Sequence, residues 1–267
     1  MSNLATIDTA KVRLILDRLE QIERSHDIRI LHAPEAGSRG WGFDSAQSDF
    51  DVRFIYVHRP AWYFQILGRS ETRKDSIVAP TEGDLDIGGW ELGKTLGLFK
   101  SGNATVNEWL DSPVVYRTHA GFIDRVRPIM AELHLPVPAF FHYLRMGQGN
   151  FREYAQQPGP KSFLYALRPA LSARWLADGH GPVPMRFDEI CARTIADPAL
   201  QAAVARLVQA KRSGADVPGQ PEPALVAHVT TLLAQLNALA LTDHRHRDFA
   251  PLDKLLYEQV KDFGQAG

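Results

Sequence analysis

The chain has 267 residues, 45% of them hydrophobic and 23% charged, and its 30 basic residues against 31 acidic ones leave a net charge of −1. That length suits one large domain or two modest ones, and the balance excludes disorder, collagen-like repeats and a globally basic nucleic-acid coat. The single cysteine, Cys191 in FDEICARTI, reads as a small core residue that forms neither an intrachain disulfide nor a Cys-based zinc site. With no apolar block behind a basic start and no long unbroken apolar run, the expectation is a cytoplasmic protein that does not span a membrane.

Asp8 or Thr9 caps a first helix, in which Val12, Ile15, Leu19 and Ile22 recur at three- and four-residue spacings and form one stripe for packing. A short strand from Ile28 to Ala33 runs into a Gly-Ser pair at 37 and 38 and the polar stretch GSRGWGFDSAQS. The second strand is DFDVRFIYV. Alternation puts Asp49, Asp51, Arg53, Ile55 and Val57 on one face and Phe50, Val52, Phe54 and Tyr56 on the other. The apolar face is expected against helices, and the opposite face opens with two carboxylates.

From Asp84 the sequence reads as a short strand followed by helices carrying Leu92, Thr95, Leu96 and Phe99, then Val106, Trp109 and Leu110. Beyond about residue 120 amphipathic helical patterns take over, at Phe140 to Tyr154, Ser162 to Ala177, Ala199 to Lys211 and Ala224 to Leu241. The Pro- and Gly-rich stretch SGADVPGQPEP, residues 213–223, is expected as a surface loop. The fold class is thus α+β, with a mixed α/β half over 1–120 and a helical half over 121–267.

Three features carry chemistry: the Gly-Ser turn, then ten residues (39 to 48) and Asp-Phe-Asp, and later Asp-Leu-Asp at 84 to 86. Alternate strand positions point to one side, so Asp49 and Asp51 present two hard oxygen ligands suited to magnesium. A third carboxylate from a neighbouring strand completes a two-metal site, in which one ion activates an attacking oxygen and the other holds a triphosphate. Glycine lets the backbone approach a phosphate, while the serine hydroxyl and the following N–H groups donate to it. Asp84 and Asp86 share a face if this segment is a strand, which leaves the choice between them open.

At these residues the chain resembles the DNA polymerase beta superfamily of nucleotidyltransferases, whose signature is a Gly-Ser or Gly-Gly turn followed some ten residues later by Asp-x-Asp. The string GSRGWGFDSAQSDFDVRFIYV looks more specifically like the bacterial and phage branch associated with RNA repair operons, and the likeness continues through GWEL at 89–92, NEWLDSPVVY at 107–116 and KSFLYALRPALSARW at 161–175. The resemblance implies that residues 1–120 are the catalytic domain and that the helices of 121–267 cover the nucleotide. It further implies that Gly37, Ser38 and Arg39 hold the triphosphate and that Asp49, Asp51 and Asp86 bind two magnesium or manganese ions. Lys161, Tyr165 and Arg168 lie at i, i+4 and i+7 on one helix face. In the family such a face looks toward the nucleotide; the bland reading is an ordinary helix surface with snorkelling side chains. Glu91 stands where the family has aspartate in its GW-x-L block, which keeps the charge. A nucleoside triphosphate is the implied substrate, and the operon association favours an RNA acceptor.

Two rival readings compete. GGWELGKT, residues 88–95, matches the P-loop pattern, with Lys94 as its phosphate lysine. It follows EGDLDI rather than a buried apolar strand, and Glu91 inside the cradle would repel phosphates, so Gly88 and Gly89 read as a strand-to-helix turn. A nucleotide-binding or antitoxin-like interaction protein without turnover is the alternative from another class, and the full set of acids argues against it. His244 and His246 in DHRHRDF alternate, but the interleaved arginines point to a solvated loop or a helix start rather than a metal site.

Overall fold

The computed structural model describes residues 4, 7–65, 75–213 and 221–265. Asp8 caps α1 (Thr9–His26), its carboxylate accepting from the Ala10 amide at 2.8 Å, and Ile15, Leu19 and Ile22 form the buried stripe. Next come β1 (Ile28–Pro34), the single turn α2 (Gly37–Trp41), β2 (Phe50–His58), the short α3 (Pro60–Tyr63), β3 (Ser76–Val78) and β4 (Leu85–Glu91). Helices α4 (Leu92–Lys100) and α5 (Thr105–Asp111) lead to β5 (Val115–Thr118), after which the chain is helical. The strands form one mixed sheet in the order β3-β4-β2-β1-β5, with β2 and β4 parallel and the other pairs antiparallel.

Period-two alternation places Phe50, Val52, Phe54 and Tyr56 of β2 against Ile15 and Leu19 of α1. The opposite face is covered along most of its length. Ile55 and Val57 pack with Leu92 and Phe99 of α4, Trp109 of α5, Phe122 and Val126 of α6 (Phe122–Leu133), and Leu252, Leu255 and Phe263 of α12 (Ala250–Gln265). Only the N-terminal end of β2, where Asp51 and Arg53 stand half-buried, escapes this cover.

A separate core joins α7 (Pro136–Gln156), α8 (Pro160–Ala177), α9 (Phe187–Thr194), α10 (Pro198–Arg212) and α11 (Pro223–Asn237). Helix α8 is buried on almost every side from Phe163 to Leu176, as befits the centre of a helical cluster. Gly147 lets α7 lie close against it, since a Cβ there would stand 3.2 Å from the Ala170 nitrogen. The packing does not divide at residue 120. Both α6 and α12 belong to the sheet's core, so the helical half is α7 to α11 and the C-terminal helix returns to the sheet. An amphipathic stripe tells which face of a helix is covered but not what covers it, so a pattern-based boundary misses this return.

The loop expected over 213–223 falls largely on residues 214–220, which lie outside the described residues. Cys191 is buried, and burial pushes its thiol up to about 12, as suits a packing residue. No helix among the described residues is long and apolar enough to cross a membrane.

The P-loop match dissolves in the sheet. Gly88 and Gly89 lie inside β4, opposite Arg53 and Phe54 of β2, rather than in the expected strand-to-helix turn. Gly89 is required there because a Cβ would come within 2.2 Å of the Phe54 ring. The turn follows at Glu91, whose carboxylate caps α4 by accepting from the Lys94 amide at 3.0 Å. The Lys94 ammonium is paired with Asp75 at 2.9 Å. A phosphate cradle needs that N–H and that lysine free, and here both are engaged by carboxylates.

Candidate active site

The parallel register of β2 and β4 sets Asp51 opposite Asp86. Asp49 stands exposed, one residue before β2 begins. Arg53 lies between the paired acids, donating to Asp86 Oδ2 at 2.6 Å and to Asp51 Oδ1 at 3.3 Å. Burial pushes the Asp51 carboxyl up, with Asp86 and Asp49 adding to the shift, while Arg53 and Lys161 oppose it. One arginine among three acids leaves a surplus of negative charge. Asp84 is turned elsewhere: it pairs with Lys11 of α1 at 2.6 Å, and that hydrogen bond holds its carboxyl below the usual range. Of the two acids left open by the sequence, the register therefore brings Asp86 beside Asp51.

The Gly-Ser turn sits directly on this pair. Gly37 has a φ of +56°, and a Cβ on it would lie 2.0 Å from Asp51 Oδ2, so only glycine fits. Ser38 follows, buried, at the second position of α2. The neighbouring backbone is clamped to β2 in both directions. The Ala36 amide donates to the Asp51 carbonyl at 2.8 Å, and the Asp51 amide donates to Glu35 Oε1 at 2.8 Å. The Tyr116 hydroxyl donates to Glu35 Oε2 at 2.6 Å, and burial pushes this carboxyl up to about 7. Sequence reasoning missed Glu35, whose one trace was a charged residue at the end of an apolar strand.

The Lys161, Tyr165 and Arg168 face runs from the cleft into the interior. Lys161 is exposed, with its ammonium 5.9 Å from the centroid of the Tyr165 ring and within electrostatic reach of Asp51. Tyr165 stands half-buried against Trp41, centroids 5.3 Å apart, and burial followed by Asp51 and Asp49 raises its hydroxyl. Arg168 does not reach the cleft. It is only 2% exposed, donates to Glu108 Oε1 at 2.9 Å and lies over the Trp41 ring at 4.5 Å. Spacing places the three residues on one helix face, but depth along that face depends on what packs against it.

Arg39 is likewise committed away from an open cleft. It donates to the carbonyls of Asp49 at 3.2 Å and Ser48 at 2.6 Å, and to the Asp44 carboxylate at 3.2 Å, while stacking on Phe50. Its place is to hold the 44–49 loop that delivers Asp49. A lysine the sequence did not single out, Lys211 at the end of α10, fastens the same loop through the hydroxyls of Ser45 at 3.3 Å and Ser48 at 3.2 Å. Burial lowers its ammonium, with Lys161 and Arg39 adding to the shift. A lone lysine in the last helical turn looks like an ordinary dipole partner, so nothing in its spacing marked it.

Among the described residues no three His, Cys, Asp or Glu side chains are gathered into a ready metal cage. The donor chemistry still suits a hard cation: Asp51 and Asp86 share a register, Asp49 is exposed nearby, and their mutual repulsion is what a divalent ion relieves. The segment around His244 and His246 has no helix or strand, and Asp243 there pairs with Arg245 and Arg247.

Residues 12–258 match the RlaP family, described as an RNA repair pathway DNA polymerase beta family. The chain belongs to this family. An RlaP-family assignment agrees with the architecture expected from the sequence, a mixed sheet with helices followed by a helical region. YcgL of Bacillus subtilis (strain 168), described as uncharacterized, is 40% identical over 206 residues, which cover 76% of this chain and 77% of that protein. A crystal structure of a nucleotidyltransferase-like protein from Exiguobacterium sibiricum 255-15 aligns with 88% of this RlaP-family chain and 71% of its own, at 12% identity and a TM-score of 0.28.

Proposed function

We propose that this RlaP-family protein is a metal-dependent nucleotidyltransferase. It transfers a nucleoside monophosphate from a nucleoside triphosphate to an acceptor hydroxyl or phosphate, with an RNA end as the favoured acceptor. The acceptor oxygen bonds to the α-phosphorus, the bond from that phosphorus to the bridging oxygen breaks, and pyrophosphate leaves. The proton of a hydroxyl acceptor passes to water. One observation carries the reading: Gly37, with no room for a Cβ, rests against an Asp51 that stands in register with Asp86. A backbone free of side chain is thereby set where a phosphate can lie beside carboxylate oxygens.

Asp49, Asp51 and Asp86 would hold magnesium or manganese, which supplies charge stabilisation for the attacking and leaving oxygens. The chain's own residues do the rest. Gly37 and Ser38 seat the triphosphate, Lys161 offsets its charge, and Tyr165 packs on the sugar or base. Glu35 holds the Asp51 amide, and Arg39 with Lys211 holds the loop that ends at Asp49. The second reading, a nucleotide binder without turnover, is favoured by a single observation: Arg53 already pairs with both Asp51 and Asp86.

The test is incubation with each α-labelled triphosphate, magnesium or manganese, and a mixed RNA pool, using wild type and Asp49→Ala/Asp51→Ala. Label entering RNA with wild type alone supports the transferase. Triphosphate bound without label reaching any acceptor, the protein included, supports the binder.

A further inference from the structure

A groove of about 560 Å³ runs between α9 and α10 and opens at Gly42, immediately after the turn that begins at Gly37. Two guanidinium groups, from Arg186 at the N-cap of α9 and Arg212 of α10, each approach this glycine. Gly42 has a φ of +86°, and a Cβ on it would lie 2.9 Å from the Arg186 guanidinium; Arg212 donates to the Gly42 carbonyl. Arg186 is paired with Asp188 at 2.8 Å, whereas Arg212 has no carboxylate partner among the described residues. Phe187, Val204 and Val208 line the groove, with Gln201, Gln209 and the Asp188 carboxylate beside them. Phe187 is held edge-on by Phe43 at 5.4 Å.

The groove and the carboxylates are the two ends of one loop. Residue 42 begins the stretch that Lys211 fastens at Ser45 and Ser48 and that ends at Asp49. The groove thus borders the start of the loop whose far end carries Asp49. Apolar side chains beside two guanidinium groups suit a flat apolar face joined to a phosphate, and a single-stranded nucleic acid offers both in every unit. Gln209 adds an amide able to meet a 2′-hydroxyl.

We infer that the α9–α10 groove binds the acceptor, a single-stranded RNA end, with a phosphate on Arg186 and Arg212 and a base against the half-buried Val208. This inference rests on the transferase reading for its chemistry, but its binding test stands apart from turnover. The measurement is fluorescence anisotropy of a 5′-fluorescein-labelled mixed-sequence single-stranded RNA over a salt series. Wild type, Arg186→Gln/Arg212→Gln, Gln209→Glu and, as control, Arg24→Gln on α1 are compared, with thermal melts to show that each is folded.

The double variant should bind at least about tenfold more weakly, with a slope of log affinity against log salt shallower by about 0.7, as expected for one lost phosphate contact on a single strand. Gln209→Glu should weaken binding by placing a carboxylate beside the phosphate, and Arg24→Gln should match wild type. The groove assignment is overturned if wild type fails to bind the RNA, or if the double variant and Gln209→Glu both keep wild-type affinity and slope. Binding of labelled triphosphate, measured on the same samples, separates the two ideas. Triphosphate binding and label transfer without RNA binding would sink the groove alone. RNA binding lost in the variants, with no label transfer by wild type, would keep the groove and sink the transferase.

Discussion

Two arginine–carboxylate clusters in this molecule use the same chemistry to opposite ends. Between α5 and α8, Glu108 accepts from Tyr143 at 2.6 Å, Arg168 at 2.9 Å and Trp41 at 3.1 Å. Burial works against that charge, yet Arg168, Tyr143 and Trp41 together hold the Glu108 carboxyl below its usual range. Between β2 and β4, a single Arg53 serves Asp51 and Asp86 with Asp49 close by, and burial with like charge pushes Asp51 up. A closed, buried pair fastens elements together, whereas a half-open, under-neutralised one keeps a surplus of negative charge. The Glu108–Arg168 pair joins the helical half to Trp41 of the Gly-Ser turn, so the closed cluster holds the open one in place.

The sharpest break in this comparison is on the open side. Asp86→Asn should lower nucleotide transfer by on the order of 10²-fold or more through lost charge stabilisation. Asp84→Asn should stay within about twofold, because an exposed pair with Lys11 contributes little. Steady-state rates of label transfer check both.

On the closed side, Arg168→Met should cost about 3–5 kcal/mol, because it strands a buried carboxylate. Adding Glu108→Gln, whose amide oxygen can accept from Trp41 while its NH2 donates to the Tyr143 oxygen, should restore much of that loss. Urea unfolding of the single and double variants reads the difference. Lys211→Ala removes two charge-assisted hydrogen bonds to the 42–49 loop. It should cost about 1.5–3 kcal/mol of loop order, seen as faster amide exchange at Ser45 and Ser48.

His32 repeats the closed pattern with a different group. Its Nδ1 meets the Thr118 hydroxyl at 2.8 Å and its Nε2 the Trp109 carbonyl at 3.2 Å, and burial pushes the imidazole down from 6.5 to about 4. The unfolded ring takes a proton that the native ring refuses. Stability from this group is therefore fully present above pH 6.5 and lost as pH falls toward about 4, at up to about 1.4 kcal/mol per pH unit. His134, lowered to about 4 by burial, steepens the same window. His32→Gln should soften the slope of stability against pH by one proton, as measured by urea titrations between pH 4 and 7. The smallest effect belongs to Lys94→Ala, which breaks a surface pair worth less than about 1 kcal/mol and should leave turnover unchanged. A large loss there would revive the P-loop reading.

What the sequence made legible was local. Strand alternation announced the apolar face of β2, the 3.6-residue period announced α1, α7, α8, α10 and α11, and the Gly-Ser and Asp-x-Asp spacing announced two parts that the fold brings into contact. What it hid depends on partners far along the chain. Asp84 and Asp86 obey the same alternation, and only the register against β2 separates them. Arg168 obeys the same helical spacing as Lys161, and only the packing of α5 and α7 shows it to be buried. Lys211 meets Ser45 across 166 positions, a distance at which periodicity carries no information.

The most direct test of the central claim is a single-turnover count of pyrophosphate released against nucleotide label transferred, for wild type and Asp51→Asn, with magnesium and RNA present. The account predicts one pyrophosphate per label transferred by wild type and neither product from the variant. Release of inorganic phosphate in place of pyrophosphate, or equal transfer by Asp51→Asn, would contradict it.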